Sequence, residues 1–325
     1  MSHDSSIQTT ILFHGNCIDG WFSAYFAYSA LLSRGDIQMF PISPSQPTTW
    51  PSSETMEGTD VWLLDVSVAE SYREEWFQGG ARSIQCIDHH ATAIEHWPTE
   101  CCPIHTDCCA AMQTFRHFFP EREVPEWLHS IDRVDRWVNV THEDRCLREY
   151  LYDIAKKPVQ KMLGEAFRLT DAFIESPEKM ADFLAQGEKS LAQKDTQLLR
   201  LIETKGGFVQ ISFDHAEKWS LPPSWLGANV FLMDTTSVTL DTTEAAHLVF
   251  LKYPGADVFI NFRKKTFYAN GPHMGKKTMK SMMVYSARRS ESCTMSLTED
   301  TIFRGHPSSA GASLVAGECK SFPFV

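Results

Sequence analysis

The chain has 325 residues, 43% of them hydrophobic and 22% charged, with a formal net charge of −11. That length and balance predict a packed globular protein of two ordinary domains or one large one, and the acidic balance excludes a long basic groove for duplex nucleic acid. The sequence does not open on a basic region followed by an apolar run, nor contain the roughly eighteen apolar residues a membrane helix needs, so a soluble, cytoplasmic protein without membrane association is expected.

Ile11-Leu12-Phe13 reads as a short buried strand. It runs into the turn His14-Gly15-Asn16-Cys17-Ile18-Asp19-Gly20 and then into a helix, Trp21 to Leu32, rich in alanine and aromatics. Trp21, Phe22, Phe26 and Tyr28 are read as core residues rather than base-stacking platforms. Pro41, Pro44, Pro47 and Pro51 predict a loop or irregular connection over residues 41–59. Val61-Trp62-Leu63-Leu64 reads as a second strand, ending at Asp65. Ser83 to Ile87 reads as a third, ending at Asp88-His89-His90. Apolar strands separated by helical segments predict an α/β fold with a parallel sheet, and ligands of such sheets sit beyond the carboxyl ends of the strands. His14, Asp19, Asp65, Asp88, His89 and His90 all fall at or just after such ends.

The pairs Cys101-Cys102 and Cys108-Cys109 come next. Adjacent cysteines do not readily share one tetrahedral ion and no CxxC is present, so reduced thiols are favoured over a zinc site. Residues 108–119 and 126–138 read as helices, with Asp132 and Asp135 on the second. Residues 158–204 read as amphipathic helix, ended by Gly206-Gly207. Phe208 to Ile211 and Ala246 to Lys252 read as strands, and Val258–Phe262 with Thr266–Tyr268 as a hairpin joined by Arg263-Lys264-Lys265. The domains expected are 9–185, a connecting helix at 186–206, and a smaller mixed α/β domain at 207–325, facing the first across a cleft. His96, His105, His117, His129, His142 and His247 follow no pattern and are read as structural.

Carboxylates and imidazoles gathered from several strand ends suit a pair of divalent ions, with one carboxylate bridging them at about 3.5–4 Å. Oxygen-rich ligation with some imidazole favours Mn²⁺ or Mg²⁺ over a purely structural zinc. Ile87-Asp88-His89-His90, preceded by Asp65 and by the His14–Gly20 segment and followed by Asp135, resembles the motif set of the DHH phosphoesterase superfamily. That superfamily includes RecJ-like exonucleases, nanoRNases, cyclic-dinucleotide phosphodiesterases and family II pyrophosphatases.

The resemblance implies that His14, Asp19, Asp65, His89 and Asp135 are metal ligands, with Asp65 bridging two ions, either Mn²⁺ or Mg²⁺. It implies that Asp88 orients the His89 ring from behind and that His90 faces a substrate phosphate. Asp132 is the alternative to Asp135. Cys17 stands where many members have an aspartate; it is a softer ligand or a small buried apolar residue. Arg304-Gly305-His306-Pro307-Ser308-Ser309-Ala310-Gly311 resembles the glycine-rich substrate loop of the DHH-associated domain. Gly305 and His306 would then bind substrate together with Arg288, or with its neighbour Arg289. The implied activity is hydrolysis of phosphodiester bonds in short oligonucleotides or dinucleotides, by a chain compatible with a homodimer. Polyphosphate or pyrophosphate hydrolysis, or a nucleotide-binding module without turnover, are the alternatives.

Overall fold

The computed structural model describes residues 8–44, 50–90, 93, 97, 105–155, 169, 177–219, 221–238, 240–270, 277–290, 292–297, 304–306 and 309–315. The chain divides into two compact units, Met1–Ala192 and Gln193–Val325.

The first unit is built on β1 (Gln8–His14), α1 (Ile18–Leu31), β2 (Ile37–Ile42), α2 (Ser53–Met56), β3 (Thr59–Leu64), α3 (Glu70–Gln78) and β4 (Ser83–Ile87). These are followed by α4 (Ala110–Phe118), α5 (Glu126–Arg136) and α6 (His142–Ala155). Its four strands are parallel, in the order β2-β1-β3-β4. The path leaves β1 toward β2 on one side and returns to β3 on the other. A topological switch point therefore lies between β1 and β3, where parallel sheets open a crevice at their carboxyl ends. β2 is a strand that the sequence reading lacks. Its Pro41 disfavours a central strand, but β2 is an edge strand, where a missing N–H is tolerated.

The core explains the apolar runs. Ile11, Leu12, Phe13, Val61, Leu63 and Leu64 are almost wholly buried, as the central strands of a covered parallel sheet must be. On α1, Trp21, Phe22 and Phe26 are buried. Phe22 lies 5.0 Å from Trp127 of α5, and Phe26 meets Phe115 of α4 edge-on at 5.2 Å. These aromatics are core, as read, and tie three helices together. Truncating one of them to alanine costs about 3–5 kcal/mol.

α7 (Pro177–Lys205) contains the division between the units and runs directly into β5 (Gly206–Gln210). The second unit continues with α8 (Phe213–Trp219), β6 (Asn229–Asp234), α9 (Thr242–Lys252), β7 (Val258–Asn270), β8 (Lys277–Arg289), β9 (Arg304–His306) and β10 (Ser309–Val315). Its sheet has six strands in the order β5-β6-β7-β8-β10-β9. Among the described residues only β6 and β7 pair in parallel, so the sheet is mixed.

Three readings need correction in this unit. Ala246 to Lys252 is helix, not strand: the Asp241 side chain accepts the Glu244 N–H, and Ala245, Ala246 and Val249 bury one face beside Phe231 and Phe259. The cap and the packed face override the strand propensity of Leu248-Val249-Phe250. Val258–Asn270 is one continuous strand, paired from Val258↔Arg289 to Asn270↔Lys277, so Arg263-Lys264-Lys265 is no turn. None of the three residues favours the left-handed backbone a tight hairpin needs, and the Lys264 N–H donates to Thr236 Oγ1. Arg304–His306 and Ser309–Gly311 are antiparallel strand, with Ala310 opposite Gly305, where the sequence predicts a loop; residues 307 and 308 lie outside the described residues.

Cys101, Cys102 and residues 156–168 and 170–176 lie outside the described residues. Among the described residues, no helix is long and apolar enough to cross a membrane.

Candidate metal centre

The carboxyl ends of β1, β3 and β4 deliver His14, Asp65 and the Asp88-His89-His90 turn to one place, and α1 and α5 add Asp19 and Asp135. His89 Nε2 lies 3.6 Å from Asp19 Oδ2, 3.4 Å from Asp65 Oδ1 and 3.2 Å from Asp135 Oδ2. His14 Nδ1 lies 3.2 Å from the other oxygen of Asp65. Asp65 therefore stands between two donor sets. One is His14, Cys17 and Asp65; the other is Asp19, His89 and Asp135, and each has its ligand atoms mutually within 4.8 Å. His90, with Asp65 and His89, forms an overlapping third set.

Local backbone chemistry holds each group. Asp65 has a left-handed φ of 57°, uncommon outside glycine, fixed by its N–H donating to Ile87 O at 2.9 Å. Gly20 is required: a Cβ there would sit 2.3 Å from the His14 carbonyl oxygen, so α1 packs its first turn directly on the end of β1.

Asp19 receives the Ala110 and Ala111 N–H groups at 2.9 and 2.7 Å, and Asp132 receives the Cys109 N–H at 2.6 Å. The first orphan amides of α4 are thus satisfied from two other helices, and the positive end of the helix faces the carboxylates. Asp132 also binds the Arg136 guanidinium, and Arg133 forms a paired contact with Asp144. Asp135 is left as the acidic residue of α5 that approaches His89. The alternative, Asp132, is a capping and ion-pairing residue.

One role is corrected. Asp88 does not back the His89 ring. Its Oδ1 accepts the backbone N–H of His89 at 2.8 Å and of His90 at 3.2 Å, and lies 2.7 Å from His90 Nδ1. The residue closes the turn after β4 and fixes the His90 ring.

The electrostatics call for cations. Burial, then Asp65 and Asp135, push the Asp19 carboxyl well above its ordinary range. Burial pushes Asp135 up to about 6, its side chain 20% exposed at the rim. Burial also works to raise Asp65, but His14 and His89 hold it below the usual carboxylate range. Burial pulls the His89 ring down, yet Asp65, Asp135 and Asp19 together push it up to about 10. Burial and the same three carboxylates raise the Cys17 thiol. Asp65 Oδ1 is buried and makes no close hydrogen bond among the described residues. Converging buried carboxylates, two imidazoles and an under-satisfied oxygen fit divalent cations, whose charge opposes the upward shifts of Asp19, Asp135, His89 and Cys17 and favours the ionised Asp65 further.

The remaining site residues read from sequence lie in the second unit. The Arg288 guanidinium reaches Thr243 Oγ1 at 3.3–3.4 Å and donates to the Ala287 carbonyl, while Arg289 donates to Met295 O. Gly305 and His306 lie in β9; the His306 side chain is outside the described residues. Two features escaped the sequence reading. The amides of Ala110 and Ala111 carry no side-chain signal. The cluster His142, Cys146 and Glu188 was signalled only by an i,i+4 His/Cys spacing.

No family model and no curated protein matches the chain. Among solved structures, it is similar to the exonuclease RecJ bound to manganese, at 11% identity and a TM-score of 0.44, over 95% of this chain and 86% of that one. It is similar to an exopolyphosphatase-related protein from Bacteroides fragilis, at 11% identity and 0.44, over 94% and 86%. RecJ in complex with Mn²⁺ from Thermus thermophilus matches at 13% identity and 0.44, over 95% of this chain but half of that one. The chain is an α/β protein, and at the strand ends of its parallel sheet stand the motifs by which it resembles the DHH phosphoesterases.

Proposed function

We propose that the chain is a metal-dependent phosphoesterase that hydrolyses phosphodiester bonds in short oligonucleotides or dinucleotides. One observation carries the reading: Asp65 is 2% exposed and turns one oxygen to His14 and the other to His89. A buried carboxylate shared by two donor sets is the arrangement that two-ion phosphoester hydrolysis needs.

Two divalent ions, Mn²⁺ or Mg²⁺, would be held by His14, Cys17 and Asp65 on one side and by Asp19, His89 and Asp135 on the other, with Asp65 common to both. When bound, such ions polarise phosphoryl oxygens and lower the pKa of water. The chain's own residues do the rest. His90 is half-exposed, and its Nδ1 is engaged by Asp88, which raises the ring's pKa and so favours the protonated form, whose Nε2–H would donate to a substrate phosphate. Asp19 keeps its orientation through the α4 amides, so it need not reorganise when charge develops. We assign Arg288, Gly305 and His306 to phosphate or terminal-group binding on the second unit. The chain's net charge of −11 agrees with a short substrate rather than a long duplex.

The test is Mn²⁺-dependent release of mononucleotides from a dinucleotide panel, run beside pyrophosphate and polyphosphate. Turnover of dinucleotides supports the proposal. Turnover of pyrophosphate or polyphosphate alone replaces it with phosphoanhydride hydrolysis, and binding of nucleotides without turnover of any substrate removes the enzyme reading.

A further inference from the structure

A second group of metal-type donors lies away from the strand ends. His142 and Cys146 are one turn apart on α6, and Glu188 faces them from α7. His142 Nε2 is 2.5 Å and Cys146 Sγ 3.1 Å from the same oxygen, Glu188 Oε2. The three donor atoms lie within 4.8 Å of one another. Two ligands at i and i+4 share one helix face, which is how helices present paired metal ligands.

The approach of the two helices is built in. Gly187 has no room for a side chain: a Cβ there would fall 1.8 Å from the Cys146 carbonyl oxygen. This contact seats Glu188 beside the thiol. Cys146 is buried, whereas the His142 and Glu188 side chains are 63% and 50% exposed. The site therefore has a buried sulfur and two adjustable side chains open to solvent.

We propose that His142, Cys146 and Glu188 bind a thiophilic divalent cation, zinc foremost, as a clamp between α6 and α7. One nitrogen, one sulfur and one oxygen are the donor types of three-ligand zinc sites, which leave a fourth position for water. Tetrahedral zinc with bonds of about 2.0–2.3 Å places its ligands roughly 3.3–3.7 Å apart. The exposed His142 and Glu188 rotamers open to that spacing without moving the core. Zinc takes the thiolate, so the Cys146 proton leaves to solvent on binding. Without metal, burial and Glu188 push that thiol up to about 12, and it donates to the carboxylate. The positive field of Arg145 acts on both groups and partly neutralises them. It makes the affinity of this clamp lower than that of a site with no cation beside it.

The site is independent of the phosphoesterase assignment, and its test uses binding rather than turnover. The full chain is titrated with Co²⁺ alone, followed by its thiolate-to-cobalt absorption, and the cobalt is then displaced with Zn²⁺. Because Cys17 is a second candidate thiolate, Cys17→Ser is run alone and combined with Cys146→Ser. The expected result is a thiolate–cobalt band that Cys17→Ser retains and that Cys146→Ser, made in the Cys17→Ser background, removes. His142→Ala and Glu188→Gln should each weaken zinc binding at least about tenfold, since even outer-shell losses cost 10–100-fold at metal sites. Both replaced side chains are exposed, so a folding failure does not confound these variants. A spectrum without a thiolate–cobalt band, a band unchanged by Cys146→Ser in that background, or zinc affinity unchanged in both surface variants would overturn the proposal and leave a metal-free hydrogen-bonded triad.

Discussion

The two donor sets that share Asp65 are made differently. Asp19, His89 and Asp135 offer two carboxylates and an imidazole, and Asp19 is tied to the amides of α4. His14, Cys17 and Asp65 offer one of each donor type, with Cys17 at the loose cap of α1, where no side chain closes the helix. Hard, oxygen-rich donors on a fixed frame suit manganese or magnesium, while a sulfur donor at a helix start shifts its side toward softer ions. Two ions bound as proposed need not be equivalent: one donor set is held by the fold, and the other would owe its selectivity to the single residue Cys17.

The largest effect falls on the residue common to both halves. Asp65→Asn should lower turnover by about a thousandfold or more, because several kcal/mol of charge stabilisation is lost. Circular dichroism should show the fold retained, and retained activity in steady-state assays would refute the shared role. Next, Asp19→Ala should break the rigid half alone. It removes a ligand and two helix-capping contacts, so a fall in metal affinity should accompany about 1–2 kcal/mol of lost stability in urea unfolding. A variant losing affinity with unchanged stability would separate the two roles assigned to Asp19.

A smaller change sharpens the contrast. Cys17→Asp gives the soft half an oxygen ligand and should raise the ratio of Mg²⁺- to Mn²⁺-supported turnover several-fold, on the order of tenfold. An unchanged ratio would mean that Cys17 is only a buried apolar residue.

The mildest test is pH. In the metal-free fold Asp135 is raised from 3.8 to about 6 and His89 from 6.5 to about 10, so the folded state binds more protons than the unfolded one across both windows. The stability that His89 supplies is full below about pH 6.5 and lost as pH rises through about 10. Asp135, as a raised carboxyl, adds a further decline between about 4 and 6. Bound cations replace those protons. The rise in Tm on adding Mn²⁺ should therefore grow from pH 5 to pH 8, and a constant rise would show that these groups do not face the ion.

Much of this centre was legible because strand-end chemistry is local. Apolar runs ending in His14, Asp65 and Asp88-His89-His90 mark both the strands and the crevice, since a buried parallel strand leaves a continuous hydrophobic signature. What escaped was non-local or masked by composition. Pro41 hid β2, whose edge position only the sheet order reveals. The α4 amides that seat Asp19 lie about ninety residues away and belong to alanines. In the second unit, Leu248-Val249-Phe250 has strand propensity, yet the Asp241 cap and the packed alanines decide for helix. Arg263-Lys264-Lys265 reads as a charged turn until its long partner strand is placed beside it.

Asp88 Oδ1 has a further consequence. The same atom meets two consecutive amides and one ring nitrogen, so the directions of both histidines hang from one pivot. His89 turns inward, 12% exposed, and His90 outward, 49% exposed. Neighbouring imidazoles can then face different ways from one turn. Lengthening the pivot by one methylene, as in Asp88→Glu, should conserve its charge and disturb both rings together.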